Sequence, residues 1–443
     1  MNVDLTKLPE YLQAQRWFAG KAWPIKRVEL VDTAEIPGAV LRDGPAMLAV
    51  LEVLYELGHP ERYLLPVESN PRGELKDASG EAEVARALLR IIREGHRVKS
   101  GAGELVGERI PGSETLLFAL SATPSVRQIA TEQSNTSVVF DEKVILKLIR
   151  KLEAGVSPEH EVGRFLMTRT SFRQMPELLG ALHLEGQSTT TAAVLHRFVP
   201  DAQEGWGWVL QGLRGAPTDL AGPLQEIGEL GRTLAQLHLA LGSVEDDPAF
   251  SPEPIRVEDL QSWSSSIVGE LGVTLSMAQA RFPELLDRRD ALVERAKRLD
   301  TLSPEGMKIR IHGDLHLGQV LRSQGGWLVF DFEGEPARPF SQRRAKHSPL
   351  KDVAGMLRSF SYATATLQRE QTQVPPQLEQ RARQAFLEGY FAAMAGSPLL
   401  PASTRQRDLM LDALELEKVL YEVRYEVNNR PDWAQIPVSA LNR

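Results

Sequence analysis

Residues 309–335, IRIHGDLHLGQVLRSQGGWLVFDFEGE, restrict the possible folds of this chain more than any other stretch. They read as strand, polar turn, strand and second polar turn. Arg310 to His312 lead into a turn at Gly313 and Asp314. The run WLVF at 327–330 is short and apolar, as a buried strand requires. It empties into Asp331, Phe332, Glu333 and Gly334. Carboxylates therefore fall at Asp314 and Asp331, with the Gln319 amide five residues after the first. Hard divalent cations take oxygen ligands, which Asp331 and Gln319 can supply. A hydroxyl that must lose a proton needs a free carboxylate, such as Asp314. One acid on a polar turn is usually solvated decoration. An ordered set flanked by two buried-type strands indicates a site.

Protein kinases use an Asp base, a metal-binding Asn five residues on, and an Asp-Phe-Gly aspartate that holds magnesium. Here His312-Gly313-Asp314 replaces His-Arg-Asp, Gln319 replaces the Asn, and Glu333 replaces the Gly. The wording HGDLHLGQVL, DFEGEPARPF, Arg343-Arg344 and SPLKDVAGMLRSFSYA closely resembles the maltokinases. The resemblance continues in RWFAGKAW, EQSNTSVVF and YEVRYEVNNRPDW, so it spans nearly the whole chain. It implies an α+β, bilobal eukaryotic-protein-kinase-like fold of the aminoglycoside phosphotransferase type, with an additional N-terminal α/β cap subdomain. The expected divisions are a cap at 1–90, a nucleotide-covering lobe at 91–200 and a mostly helical lobe at 201–443.

Composition narrows the function. A hydrophobic content of 42% with 25% charged residues is that of an ordinary soluble globular protein, and 443 residues are too many for one core. No apolar run approaches the ~20 residues of a membrane helix, and MNVDLTKLPEYLQ has neither a basic start nor a signal core. No cysteine is present, which removes disulfides, thiol nucleophiles and thiolate zinc sites. We expect a cytoplasmic protein. A net charge of −8 argues against general nucleic-acid binding, while a local lysine and a cation can still receive phosphate.

Along the chain, strands are expected at 27–35, 46–57 and 62–67, followed by a helix at 81–94. Trp17, Phe18 and Trp23 read as core. Further strands are expected at 116–120, 126–130, 136–140 and 143–149, with Asp141-Glu142 turning the last two into a hairpin. Lys147 lies inside a β-branched run, where kinases keep the lysine that reaches the α and β phosphates. Its acid partner should come from the next helix. We assign Glu161, with Glu159 the alternative. The turn before these strands has no glycine, so Ser134 and Thr136 are the hydroxyls offered to phosphate. The strand 190–199 leads, in this fold, to a hinge whose backbone pairs with adenine, here Arg197, Phe198 and Val199. His196 is either part of that hinge or a structural histidine.

In the large lobe, leucines at threes and fours from Leu224 to Leu241 mark a buried helix in which His238 packs. Helices are expected at 259–277, 283–302, 351–365 and 406–429. Asp352 should brace the catalytic loop by hydrogen bonds. On the last helix, Tyr421, Arg424, Tyr425 and Asn428 share a face, and Glu422, Glu426 and Asn429 share the next, with Trp433 following. The segment reads equally as a sugar site or as a packed amphipathic end. The maltokinase resemblance assigns Asp314 as base, Lys147 and Glu161 to the ATP phosphates, and Gln319, Asp331 and Glu333 to Mg2+. It offers His316, Tyr421, Arg424, Glu426 and Trp433 to the sugar. It implies phosphorylation of maltose to maltose 1-phosphate for glycogen and α-glucan synthesis, with trehalose synthase as a metabolic partner. The residues alone support phosphoryl transfer to a small hydroxylated acceptor, so another sugar, glucosamine or an aminoglycoside stays open.

Overall fold

A computed structural model describes residues 5–69, 75–129, 134–215, 220–336, 338–370, 374–375 and 377–442. Two compact units result: Met1–Thr168 with Pro176–Pro200, and Arg169–Met175 with Asp201–Arg443.

The first unit opens with α1 (Leu8–Ala14) and a sheet of β1 (Ile25–Val40), β2 (Pro45–Tyr55), β3 (Glu61–Ser69) and β4 (Leu75–Asp77). Helix α2 (Ala82–Glu94) then carries the chain to β5 (Arg97–Lys99), β6 (Glu104–Arg109) and the short α3 (Glu114–Phe118). Strands β7 (Val126–Ile129), β8 (Asn135–Phe140), β9 (Val144–Ile149) and β10 (Lys151–Leu152) precede α4 (Pro158–Arg169), β11 (Leu178–Glu185) and β12 (Thr189–Arg197). One sheet runs β1-β2-β3-β10 with β4 on β3, and the other runs β5-β6-β11-β12-β9-β8-β7. Asp141 and Glu142 both have φ of 50°, the left-handed pair that a two-residue hairpin turn demands. The segment 116–120 was expected to be a strand. Its backbone instead closes a helical turn, Leu117 N–H to Ser113 C=O at 3.0 Å, because no strand lies beside it to accept a ladder.

One apolar cluster runs through both sheets, from Ile36, Leu48 and Leu64 through Val84 and Leu88 to Phe140, Leu146 and Leu195. Helix α2 is the filling, with the amphipathic spacing of Val84, Leu88, Ile91 and Ile92. The expected boundary near residue 90 thus falls inside a continuous core. The helix lies directly on β6 at Gly107, where a Cβ would sit 2.0 Å from the Ile91 carbonyl oxygen. Arg150 ties the sheets from within. It is 2% exposed and donates to Thr136 Oγ1 at 2.9 Å, Leu64 C=O at 3.3 Å and Ser79 Oγ at 2.6 Å. Its guanidinium also covers the Trp17 ring at 4.9 Å. Phe18 is buried as expected, whereas Trp23 is 49% exposed.

The second unit is mostly helical. It contains β13 (Gln203–Glu204), α5 (Gly205–Gly215), α6 (Ala221–Leu241), β14 (Glu253–Pro254), α7 (Val257–Ala278) and α8 (Arg289–Lys297). Then come β15 (Met307–Lys308), β16 (Val320–Ser323), β17 (Gly326–Val329), α9 (Phe340–Arg343), α10 (Leu350–Glu370), α11 (Leu378–Ala393), α12 (Thr404–Asn429) and α13 (Gln435–Leu441). The helix expected over 283–302 is broken. Only α8 is α-helical, between 3-10 turns at Pro283–Arg288 and Arg298–Thr301. Strands β13, β16 and β17 form a small sheet that carries the two polar turns of 309–335. Among the described residues, no helix is long and apolar enough to cross a membrane.

The close approach at Gly107 is testable. Gly107→Ala should lower stability by about 1–3 kcal/mol, because backbone on backbone cannot yield cheaply. A denaturant midpoint equal to that of the unsubstituted protein would contradict the packing described.

Candidate active site

In the second unit, the turn at Gly313-Asp314 is held from below by Asp352, in the first turn of α10. Its carboxylate accepts the backbone N–H of His312 at 2.8 Å and of Gly313 at 2.9 Å. It also faces His238 Nε2 at 3.1 Å, and His238 Nδ1 meets the Tyr390 hydroxyl at 2.8 Å. Burial pushes the Asp352 carboxyl up, but His238 and the Gly313 amide outweigh it and hold it below the usual carboxylate range. Asp352 therefore braces the loop through its backbone, and the His238 expected to be mere packing is the next link of that brace. Gly355, one turn on, lets α10 approach: a Cβ there would lie 2.4 Å from the Leu315 carbonyl oxygen.

His312 couples this loop to the second polar turn, its Nε2 lying 2.9 Å from the Phe330 carbonyl oxygen. Asp331 follows with φ of 65°, a left-handed backbone rare for a non-glycine residue and often found at functional turns. The Gln319 Nε2 donates to Asp331 Oδ2 at 2.8 Å. The Gln319 side chain and the Asp331 carboxylate thus meet at one place, with the amide nitrogen on the carboxylate; a turned amide would add its oxygen to the carboxylate as the ligand type magnesium takes. Glu333 lies two residues further, with its backbone carbonyl 3.4 Å from Arg343 Nη1.

Asp314 pairs with Lys418 of α12 at 2.9 Å. Burial pushes the Asp314 carboxyl up, yet Lys418 and His316 more than reverse this and hold it below the usual range. Burial likewise pushes the Lys418 ammonium down, and Asp314 outweighs it, so Lys418 stays charged. A small cavity beside the pair is lined by Glu335, Arg338, Lys351, Glu417, Lys418 and Tyr421. Glu417 accepts from Lys351 at 2.7 Å and pairs with Arg338 at 2.9 Å. Burial opposes its ionisation, but Lys351, His347 and Arg338 bring its pKa down to about 2.

The five residues offered to the sugar are placed apart in the structure. Of the five residues offered, Tyr421 lines this cavity. His316 sits on the loop itself, with Nδ1 accepting the Gly318 N–H at 3.0 Å. Arg424 turns to α7, donating to Thr274 Oγ1 at 2.8 Å. Glu426 is 1% exposed and is held by Tyr362 and Arg430. Trp433 carries the guanidinium groups of Arg369 and Arg430 over its ring at 4.9 and 5.3 Å. Glu422 forms a buried pair with Arg358 at 2.8 Å. The face that lines the cavity begins a turn earlier, at Leu414, Glu417, Lys418 and Tyr421. That spacing of three, four and seven was available in the sequence.

In the first unit, Lys147 of β9 pairs with Glu159 at 3.0 Å. Glu159, the alternative, replaces Glu161 as the partner. Two residues apart on a helix point about 200° away from each other, so only one can face β9. His196 Nε2 stands 3.2 Å from the other Glu159 oxygen, which makes this histidine a brace for the pair. Thr136 lies on the opposite sheet face from Lys147. It is paired with Leu148, while Ser137 is paired with Lys147, and its hydroxyl is used by Arg150. Ser134 is exposed next to Asn135, whose Nδ2 reaches it at 3.4 Å. At the hinge, the Arg197 N–H already bonds the Glu177 carbonyl and the Phe198 N–H bonds that of Lys143, both at 2.8 Å. Those two amides are not free for adenine. Among the described residues, the Val199 N–H has no such partner.

Residues 125–335 match the phosphotransferase enzyme family, and residues 11–94 match the maltokinase N-terminal cap domain. Among curated proteins, the glucosamine kinase of Streptacidiphilus jiangxiensis is 27% identical over 81% of this chain and 86% of its own. That of Mycolicibacterium smegmatis is 28% identical over 79% of this chain and 90% of its own. A solved glucosamine kinase in complex with glucosamine, ADP and inorganic phosphate has a TM-score of 0.72 at 22% identity, covering 100% of this chain and 99% of that one. A second crystal form gives 0.75 at 22% identity, covering 98% of each. At that identity the likeness establishes the shared fold, kinase-like with an N-terminal cap.

The Asp314–Lys418 pair makes a pH prediction. Lys418 is the strongest of the charges that lower the Asp314 pKa, so Lys418→Met should raise it, leaving burial opposed only by the weaker histidines. The acid limb of the pH–kcat/KM profile should move to higher pH, with activity lost first on the acid side. An unmoved acid limb would separate Asp314 from the titration.

Proposed function

We propose that this protein is an ATP-dependent kinase that phosphorylates maltose on its anomeric hydroxyl, giving maltose 1-phosphate and ADP. The single observation that carries the neutral-sugar reading is Lys418, charged and 2.9 Å from the proposed base. The maltokinase-type cap supports it. Asp314 takes the proton of the anomeric hydroxyl as that oxygen attacks the γ-phosphorus, and the bond to the β–γ bridging oxygen breaks. Lys147, oriented by Glu159, holds the α and β phosphates. Gln319 and Asp331, with Glu333, would hold Mg2+, which when bound neutralises charge on the phosphates. The carboxylates of Glu335 and Glu417 and the phenol of Tyr421 offer hydroxyl partners and a ring face to the sugar. On this reading the product feeds α-glucan synthesis, and a maltose-forming enzyme such as trehalose synthase supplies the substrate.

Glucosamine is the second reading, supported by the curated relatives of that name. An amine brought to this cavity would face the Lys418 ammonium as a like charge beside the Asp314 carboxylate, whereas maltose carries no charge to place there.

A panel of free sugars with ATP and Mg2+ decides between them. We expect phosphate on maltose; phosphate on glucosamine but not on maltose would reject the assignment. Asp314→Asn should abolish turnover while nucleotide binding stays nearly intact, and near-normal turnover would remove Asp314 as base. Asp331→Ala should weaken metal-dependent nucleotide binding, measured by calorimetry at varied Mg2+. Unchanged magnesium dependence would contradict its role.

A further inference from the structure

Away from the residues discussed so far, the first unit holds a second cluster of ligating side chains. Glu108 of β6, His160 of α4 and His183 of β11 present three ligand atoms within 4.8 Å of one another. Both imidazoles converge on one oxygen: His160 Nε2 is 2.8 Å and His183 Nε2 2.9 Å from Glu108 Oε2. The other oxygen is taken by Arg164 Nη1 at 2.9 Å. The histidines are 3% and 5% exposed. They border a surface cavity of about 610 Å3 that also reaches Glu185 and Thr189.

His183 Nε2–H donates to Oε2, and His160 Nε2 stands equally near the same oxygen. The Nδ1 atoms of both rings have no hydrogen-bond partner among the described residues. Each imidazole can therefore carry its proton on Nδ1 instead, which frees the Nε2 lone pair for an ion that displaces these contacts.

We propose that Glu108, His160 and His183 form a binding site for one borderline divalent cation of the zinc class, which fastens the start of α4 to β6 and β11. Two imidazoles and one carboxylate suit that class, with the cavity side left for a fourth ligand. Tetrahedral zinc holds such ligands at about 2.0–2.2 Å, which places donor atoms about 3.4 Å apart. The two nitrogen–oxygen spacings need to widen by only ~0.5 Å to reach that. Electrostatics agree with the geometry. Burial pushes the Glu108 carboxyl up, but the histidines and Arg164 hold it far below the usual range, so it is ionised. Burial keeps the His160 imidazole neutral. His160 directly follows Glu159, so an ion here also fixes the acid that pairs with Lys147. That consequence rests on the kinase reading; the site itself does not.

The test is binding of Co2+ and Zn2+ to the full chain in the presence of excess Mg2+, which occupies oxygen-only sites. We expect one equivalent of Zn2+ retained on dialysis, and intense visible absorption of four-coordinate cobalt. His183→Gln and Glu108→Gln should each weaken binding at least tenfold, whereas Asp331→Ala should keep the equivalent. Wild-type protein that binds no Zn2+, or binds it unchanged in both variants, overturns the site. Should either variant misfold, the wild-type cobalt spectrum decides alone: weak, six-coordinate absorption also overturns it. None of these readouts uses turnover, so failure of the kinase reading would leave them intact.

Discussion

Two backbone amides on one buried carboxylate are what the rest of the catalytic lobe depends on. Asp352 accepts His312 N–H and Gly313 N–H, and a loop that would otherwise be free to rotate is fixed by main-chain atoms, whatever side chains it carries. Behind the acid stand His238 and Tyr390, so the restraint reaches from α6 and α11 to the turn. Charged, buried hydrogen bonds of this kind are strong and costly to break. In front of it, His312 transmits the position to Phe330 and so to Asp331. Asp314 and Asp331 are registered to each other through backbone, within one unit.

Around the base the control is electrostatic. Lys418, Lys351 and Arg338 alternate with Asp314, Glu417 and Glu335. Asp314 and Glu417 are held ionised by the cations that face them. An alternating lining of this kind presents hydroxyl acceptors to a sugar without a net field that would attract a cationic one.

Much of this was legible beforehand, and the limits follow physical lines. Motifs confined to a single turn read well. Asp314, Gln319, Asp331 and Asp352 are set by short-range spacing, and the structure joins Gln319 to Asp331 and Asp352 to the loop. The Asp141-Glu142 hairpin was likewise readable, since only a left-handed pair closes a two-residue turn. What failed was phase. Glu159 and Glu161 are both acids at a helix start, and which one meets Lys147 depends on how α4 rolls on β9. On α12 the choice of face slipped by about one turn, sending Arg424 and Glu426 into packing and leaving Glu417 and Lys418 unread. Thr136 failed through strand parity, since one residue changes the side of the sheet. Such choices are settled by packing against other elements, 12 positions away for Glu159 and Lys147 and 104 for Lys418 and Asp314, which no local pattern contains.

The burial of Arg150 bears on how such a chain can be assembled by evolution or by an engineer. This guanidinium lies in the β9–β10 segment, yet besides Thr136 of β8 its partners come from the first eighty residues: Leu64, Ser79 and Trp17. Were the first ninety or so residues removed, a permanently charged side chain would lose those partners, and most of α2, the filling over β6, would go with them. The cap is thus no detachable accessory grafted onto a self-sufficient enzyme. It is a wall of the same building, and gene fusions or domain swaps that respect function would have to carry it along with the strand that Lys147 occupies.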